Sequence, residues 1–166
     1  MNLTADLLPA WWYWAAHIVL ALLTIQVART APWSRLLEPR VLHLWMGTVV
    51  MLSVLWSIRT GLRPGLTFHL LGASACTLVF GRQLGFMAML LVVAGQVVIG
   101  AIQPWAFSVN ALVMAAFPCA VSYCVVYLVR ARLPANPFVY IFAAAFFGGA
   151  LTMISTGVAG SVLLSL

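Results

Sequence analysis

Lysine is absent from the 166 residues and acid is nearly so, Asp6 and Glu38 being the only carboxylates. Both fall outside the long apolar runs. A buried carboxylate that could relay protons or hold Na⁺ within a membrane is therefore missing. So are the paired carboxylates of aspartyl proteases and glycosidases, and the oxygen-rich cages of Mg²⁺ and Ca²⁺. No G-x-x-x-x-G-K-[ST] loop exists, so this chain does not hydrolyse nucleotides by itself. What is present is apolar: 65% of residues are hydrophobic and 6% charged, with mean hydropathy +1.13. No water-soluble domain of this size could carry such a surface, and lipid must be its solvent.

The apolar runs fill nearly the whole length, which predicts an all-α, polytopic transmembrane bundle of about six helices in one domain, residues 1–166. Expected spans are 7–28, 41–58, 66–81, 84–103, 108–129 and 138–166, each set against about 30 Å of hydrocarbon at about 1.5 Å per residue. Arg29 to Arg40 with Pro32 and Pro39, Arg59 to Gly65, Arg82 with Gln83, Pro104 to Phe107, and Arg130 to Pro137 mark the breaks. No basic residue precedes the first run, so it lacks the positive start of a signal peptide and is expected to be retained.

The net charge of +6 rests on eight arginines, all between apolar runs, where they report orientation and form no nucleic-acid face. Arg29, Arg35, Arg40, Arg82, Arg130 and Arg132 share one side in the alternating topology, against Arg59 and Arg63 on the other. This predicts a multi-pass protein of a bacterial inner membrane with its N-terminus outside. Trp11, Trp12, Tyr13 and Trp14, with Trp33, Trp56 and Trp105, fall near span ends and read as interfacial anchors in preference to a ligand cage. Cys76, Cys119 and Cys124 sit inside spans and read as small buried thiols. Pro118 removes a backbone donor in mid-span and should kink the fifth helix. Ala145, Gly149, Thr152, Thr156 and Gly160, with Gly148 and Gly157 beside them, read as a packing seam on the last helix.

Histidine in hydrocarbon is costly enough to be a functional candidate, and His17, His43 and His69 are the three to weigh. His43 opens the second span, where its ring reaches water or headgroups. His17 and His69 fall in the outer halves of their helices and could meet. Neutral imidazole suits Ni²⁺, Co²⁺, Cu²⁺ or Zn²⁺, while the methionines are too scattered for a copper relay. Gly72-Ala73-Ser74 has the form of an intramembrane nucleophile, yet Ser and Gly are ordinary helix contacts in lipid, and the chain reads as a non-enzyme.

The runs Phe68-His69-Leu70-Leu71-Gly72-Ala73 and Asn110-Ala111-Leu112-Val113-Met114, the latter followed by Pro118 and Tyr123, carry a resemblance, as does Leu133-Pro134-Ala135-Asn136-Pro137-Phe138-Val139-Tyr140-Ile141-Phe142. They resemble the CbiM/NikM-like permeases of energy-coupling-factor transporters, and His43-Leu44-Trp45 resembles one branch of that family. The resemblance implies a cobalt or nickel uptake subunit that binds the ion while a separate membrane coupling protein and cytoplasmic ATPases move it. Ni²⁺ or Co²⁺ is then cargo, and no resident cofactor is implied. It further implies an all-nitrogen site built from the N-terminal amine, the amide and imidazole of residue 2, and the histidine of His-Leu-Leu-Gly. Met1 and His69 match. Asn2 departs, supplying a backbone amide but a carboxamide where the family pattern has imidazole. His17 is the candidate fourth ligand and Asn110 its supporting residue.

The residues alone leave a second reading open: a noncatalytic accessory subunit docked to a larger membrane complex through the small-residue face of the last helix.

Overall fold

The computed structural model describes residues 9–57, 72–134, 136, 138 and 140–164, and no strand occurs among them. The first helix, α1 (Ala10–Thr30), follows Pro9 and stops where Ala31 turns extended before Pro32. It is apolar on every side but buries only the stripe Tyr13, Ala16 and Leu20, leaving Trp14, Ile18 and Leu22 outward. Such a helix is stable with a face against lipid and not against water. A 3-10 turn, Trp33–Leu37, leads into α2 (Pro39–Ser57), which opens on proline, where the missing N–H costs nothing.

The centre of the molecule is α3 (Ala73–Val98). Of its apolar window 61% is buried, against 17% for α1 and for α2, so the other helices are arranged around it. Trp45 of α2 donates its indole N–H to the Leu84 carbonyl at 3.0 Å, and Gln96 donates to the Ser53 carbonyl at 3.2 Å. Residues 45 and 53 therefore pair in order with 84 and 96, and α2 runs parallel to the second half of α3. Trp56, expected at a boundary, is buried with Trp45 and Leu52 in this core.

One residue decides the shape of α3. Gly81 has φ 83 and ψ 173, a conformation open essentially only to glycine. Nine residues of straight helix would separate Cys76 from Gly85 by about 13 Å. Instead a Cβ on Gly85 would lie 3.0 Å from the Cys76 carbonyl and from the Thr77 nitrogen. The chain doubles back at Gly81, so residues 73–80 and 82–98 form a tight helical hairpin. The expected spans 66–81 and 84–103 correspond to its two arms, residues 66–71 lying outside the described residues.

The next span, Pro104–Arg132, begins with the 3-10 turn Pro104–Ala106 and α4 (Phe107–Ala111), and ends with α5 (Phe117–Arg132). Between them Leu112–Ala116 is a π-helical turn in which the Phe117 N–H reaches the Leu112 carbonyl. The expected irregularity at Pro118 takes this form: a wider turn directly before the proline accommodates the lost donor. The final span runs from a π-helical stretch, Tyr140–Phe147, into α6 (Gly148–Leu164). In all, five helical segments among the described residues are long and apolar enough to cross a membrane when α3 is counted as one across its reversal at Gly81.

The packing seam of the last span differs in detail from the expected one. Its buried residues are Ala144, Gly148, Thr152, Thr156 and Gly160, while Ala145 is exposed. The π-helical stretch holds more residues per turn than an α-helix and so shifts the register before Gly148. A Cβ on Gly148 would meet Val125 Cγ1 at 2.9 Å, so α5 fills this face. At Gly148 the seam is filled within the chain, while a Cβ on Gly149 or Gly157 would meet nothing within 4 Å.

Hydroxyls reinforce that seam. Thr152 Oγ1 donates to the Gly148 carbonyl at 2.7 Å, Ser122 lies 3.1 Å from Thr152 Oγ1, and Ser74 lies 2.9 Å from Ser122. Each hydroxyl has one proton, so the bonds run in order from Ser74 to Ser122 to Thr152 to the carbonyl, joining α3, α5 and α6. Ser122→Ala removes the central link and is expected to cost about 1–2 kcal/mol. The check is thermal unfolding in detergent beside Ser161→Ala, an exposed serine bonded only to Gly157 of its own helix, which should leave the transition unmoved.

Candidate functional site

The two ends of the bundle differ in chemistry. At one end lie Arg29, Arg35, Arg40, Arg130 and Arg132, together with the Gly81 reversal and Arg82. Gln83 there donates to the Thr30 carbonyl at 3.2 Å, fixing the hairpin tip against the end of α1. The Arg82 guanidinium lies 5.1 Å from the Tyr123 ring centroid, and that of Arg130 lies 5.8 Å from Tyr140. His43 is exposed at this end, as expected of an interfacial ring.

The opposite end holds the start of α1 and the start of the Pro104–Arg132 span. Tyr13 is 1% exposed and packs with Ala16 against Ala106 and Val109. This small second core draws Trp105 over α1: its ring centroid is 5.6 Å from His17, 5.4 Å edge-on from Trp14 and 6.4 Å from Tyr13. Trp11 and Trp14 are 63% and 59% exposed, in keeping with anchoring roles, whereas Trp105 also walls one side of the His17 ring. Sequence reading assigned Trp105 to the interface alone; nothing in its spacing to residue 17 signals the contact, which only the packing of α4 on α1 creates.

His17 is half-buried, and its Nδ1 hydrogen-bonds the Tyr13 carbonyl one turn back. A carbonyl can only accept, so Nδ1 carries a proton, and in the neutral ring Nε2 is then the nitrogen with a lone pair to offer an ion. Asn110 is fully buried in α4, its Nδ2 donating to the Ala106 carbonyl at 2.9 Å. That bond fixes which end of the carboxamide is which, leaving Oδ1 directed away from Ala106. His17 thus lies where α1 meets Trp105, and Asn110 lies buried on α4 one turn after Ala106. Met1, Asn2 and His69 lie outside the described residues.

The described donors around His17 are neutral. Glu38 is at the arginine-rich end, and no group of three His, Cys, Asp or Glu side chains converges among the described residues. Hard cations that need several oxygens are disfavoured here, and borderline divalent ions that accept imidazole nitrogen are the better match. Cys76 and Cys119 are buried with Met89 and Met114 in the main core, while Cys124, expected to be buried, is exposed on α5. Cys124 faces outward because α5 turns its Ser122 and Val126 face to the bundle.

The family model for CbiM, described as the cobalt uptake substrate-specific transmembrane region, matches residues 2–166. No curated protein and no solved structure matches the chain.

Proposed function

The chain belongs to the CbiM family of cobalt uptake substrate-specific transmembrane proteins, and from that premise we propose that it is the ion-binding subunit of an energy-coupling-factor ABC transporter. The family match over essentially the whole length carries this reading. Cobalt is the expected cargo, and nickel a second ion that the same nitrogen donors would accept. The chain binds the ion without chemical conversion, and a separate membrane coupling protein with cytoplasmic ATPases supplies the work. The missing nucleotide-binding loop agrees with that division of labour. The family match favours this reading over that of an accessory subunit.

The proposed ligands are the Met1 amine, the Asn2 amide, His69 and His17, with Asn110 in support. The hydrogen bond from Nδ1 to the Tyr13 carbonyl supports this role, because it orients the ring and leaves Nε2 as the nitrogen available to an ion. Neutral donors in an apolar surround would favour an ion that keeps its ligands by covalent character and not by opposing charge. The six arginines at the other end would face the cytoplasm of a bacterial inner membrane, placing the N-terminus and this site outside. An ion would then enter from the outside, next to the exposed indoles of α1.

Elemental mass spectrometry of the gently purified chain after incubation with Co²⁺ tests the proposal. About one cobalt per chain is expected, lost in His69→Ala and weakened about 10-fold to 100-fold in His17→Ala. No stoichiometric cobalt or nickel in the unmodified protein would overturn it.

A further inference from the structure

At the arginine-rich end the structure holds a cavity of about 270 Å³ that ion binding does not use. Arg35 and Glu38 stand at its lining from the 3-10 turn and the residue after it, and Val41, Leu44, Phe80 and Leu84 supply apolar wall. Phe80 and Leu84 are buried core residues on either side of the Gly81 reversal, so the inner wall is held by the hairpin. The turn that carries the charges is an interfacial segment: Leu37 is 83% exposed, and Trp33 is 45% exposed with its indole N–H on the Ala28 carbonyl at 2.7 Å. The cavity therefore opens where helices end and lipid headgroups begin.

Its charges are of opposite sign, and among the described residues neither is held in an ion pair. A guanidinium offers paired N–H donors to a phosphate. A carboxylate accepts hydrogen bonds from a primary ammonium. Together with an apolar wall, they complement one molecule that carries phosphate, ammonium and hydrocarbon. We propose that this cavity binds a single phospholipid with an ethanolamine-type headgroup, its phosphate on Arg35, its ammonium on Glu38 and an acyl chain along Val41, Leu44, Phe80 and Leu84. A phosphatidylglycerol has no cation for Glu38 and is repelled by it. A phosphatidylcholine carries the charge but has no N–H to donate. The inference stands on the cavity and its charges, and is independent of which ion the chain transports.

The test equilibrates the purified full-length protein with equimolar phosphatidylethanolamine, phosphatidylglycerol and phosphatidylcholine of matched acyl chains in mild detergent. Size-exclusion chromatography then strips loose lipid, and mass spectrometry counts what remains. About one phosphatidylethanolamine per chain is expected, enriched about fivefold over either competitor. Glu38→Gln should erase the enrichment and raise phosphatidylglycerol, and Arg35→Gln should lower retention of all three lipids. The competition on the unmodified protein decides the matter even if a variant folds poorly. Equal retention, a preference for phosphatidylglycerol, or enrichment unchanged in Glu38→Gln would overturn the proposal. So would a dimer that covers the groove and retains no lipid.

Discussion

Gly85→Leu should abolish the folded form of the protein, and Gly85→Ala should weaken it by about 1–3 kcal/mol. The position is tight against main chain: the atoms a Cβ would meet are the Cys76 carbonyl and the Thr77 nitrogen, at 3.0 Å. A side chain can rotate away from a clash, but two helix backbones can separate only by opening the hairpin. Opening it would expose the α3 residues against which Trp45, Met114 and Cys119 pack. Gly81→Ala tests the other half of the device. Nothing lies within 4 Å of a Cβ at Gly81, so that cost is conformational alone, about 1–3 kcal/mol for leaving the glycine-only region. Both effects read out as the midpoint of thermal unfolding in detergent, with Trp45 fluorescence as a core reporter. Gly85→Leu that stays monodisperse with an unchanged midpoint would show that the two arms do not touch as described.

Adding one residue before Met1 is the variant expected to affect ion binding most. In the proposed site the terminal amine is a ligand, and extension turns that nitrogen into an amide while moving the new amine several ångströms away. Cobalt affinity should fall by about 100-fold or more, with the unfolding midpoint of the ion-free protein unmoved. Asn2→His is the complementary gain. It supplies an imidazole where the carboxamide is a poor donor, and cobalt should bind more tightly than to the unmodified chain. Titration followed by elemental analysis separates the outcomes. An extended chain that binds cobalt normally would exclude the amine, and a neutral Asn2→His would place residue 2 outside the site.

Much of the architecture was legible before any coordinates. Hydropathy marked the membrane spans, prolines and arginines marked their ends, and the resemblance in the Asn110 and His69 runs agrees with the family match. The seam on the last helix was legible in kind but not in register. Ala145 is the expected residue with Gly148 only beside the seam, whereas Ala144 and Gly148 are the buried pair, because the π-helical stretch changes the residue count per turn. Trp105 was read as an anchor, and its place over His17 was not visible. Its neighbour is almost ninety residues away, and no periodicity within either helix encodes that meeting.

The sequence by itself determined the solvent of this protein, its all-helical class, the polarity of its two ends and the shortage of hard ligands. These follow from composition and from properties that act residue by residue: transfer of side chains to lipid, and the cost of charge within it. Tertiary structure decided where helices meet. It set the reversal at Gly81, the passage of the hydroxyl chain through Ser122, the place of Trp105 over His17, and the apolar wall of Phe80 and Leu84 beneath Arg35 and Glu38. In lipid every outward face of a helix is equally well solvated, so hydropathy alone cannot select partners. Close packing, local backbone geometry and single hydrogen bonds make that selection, and they exist only once the helices are assembled.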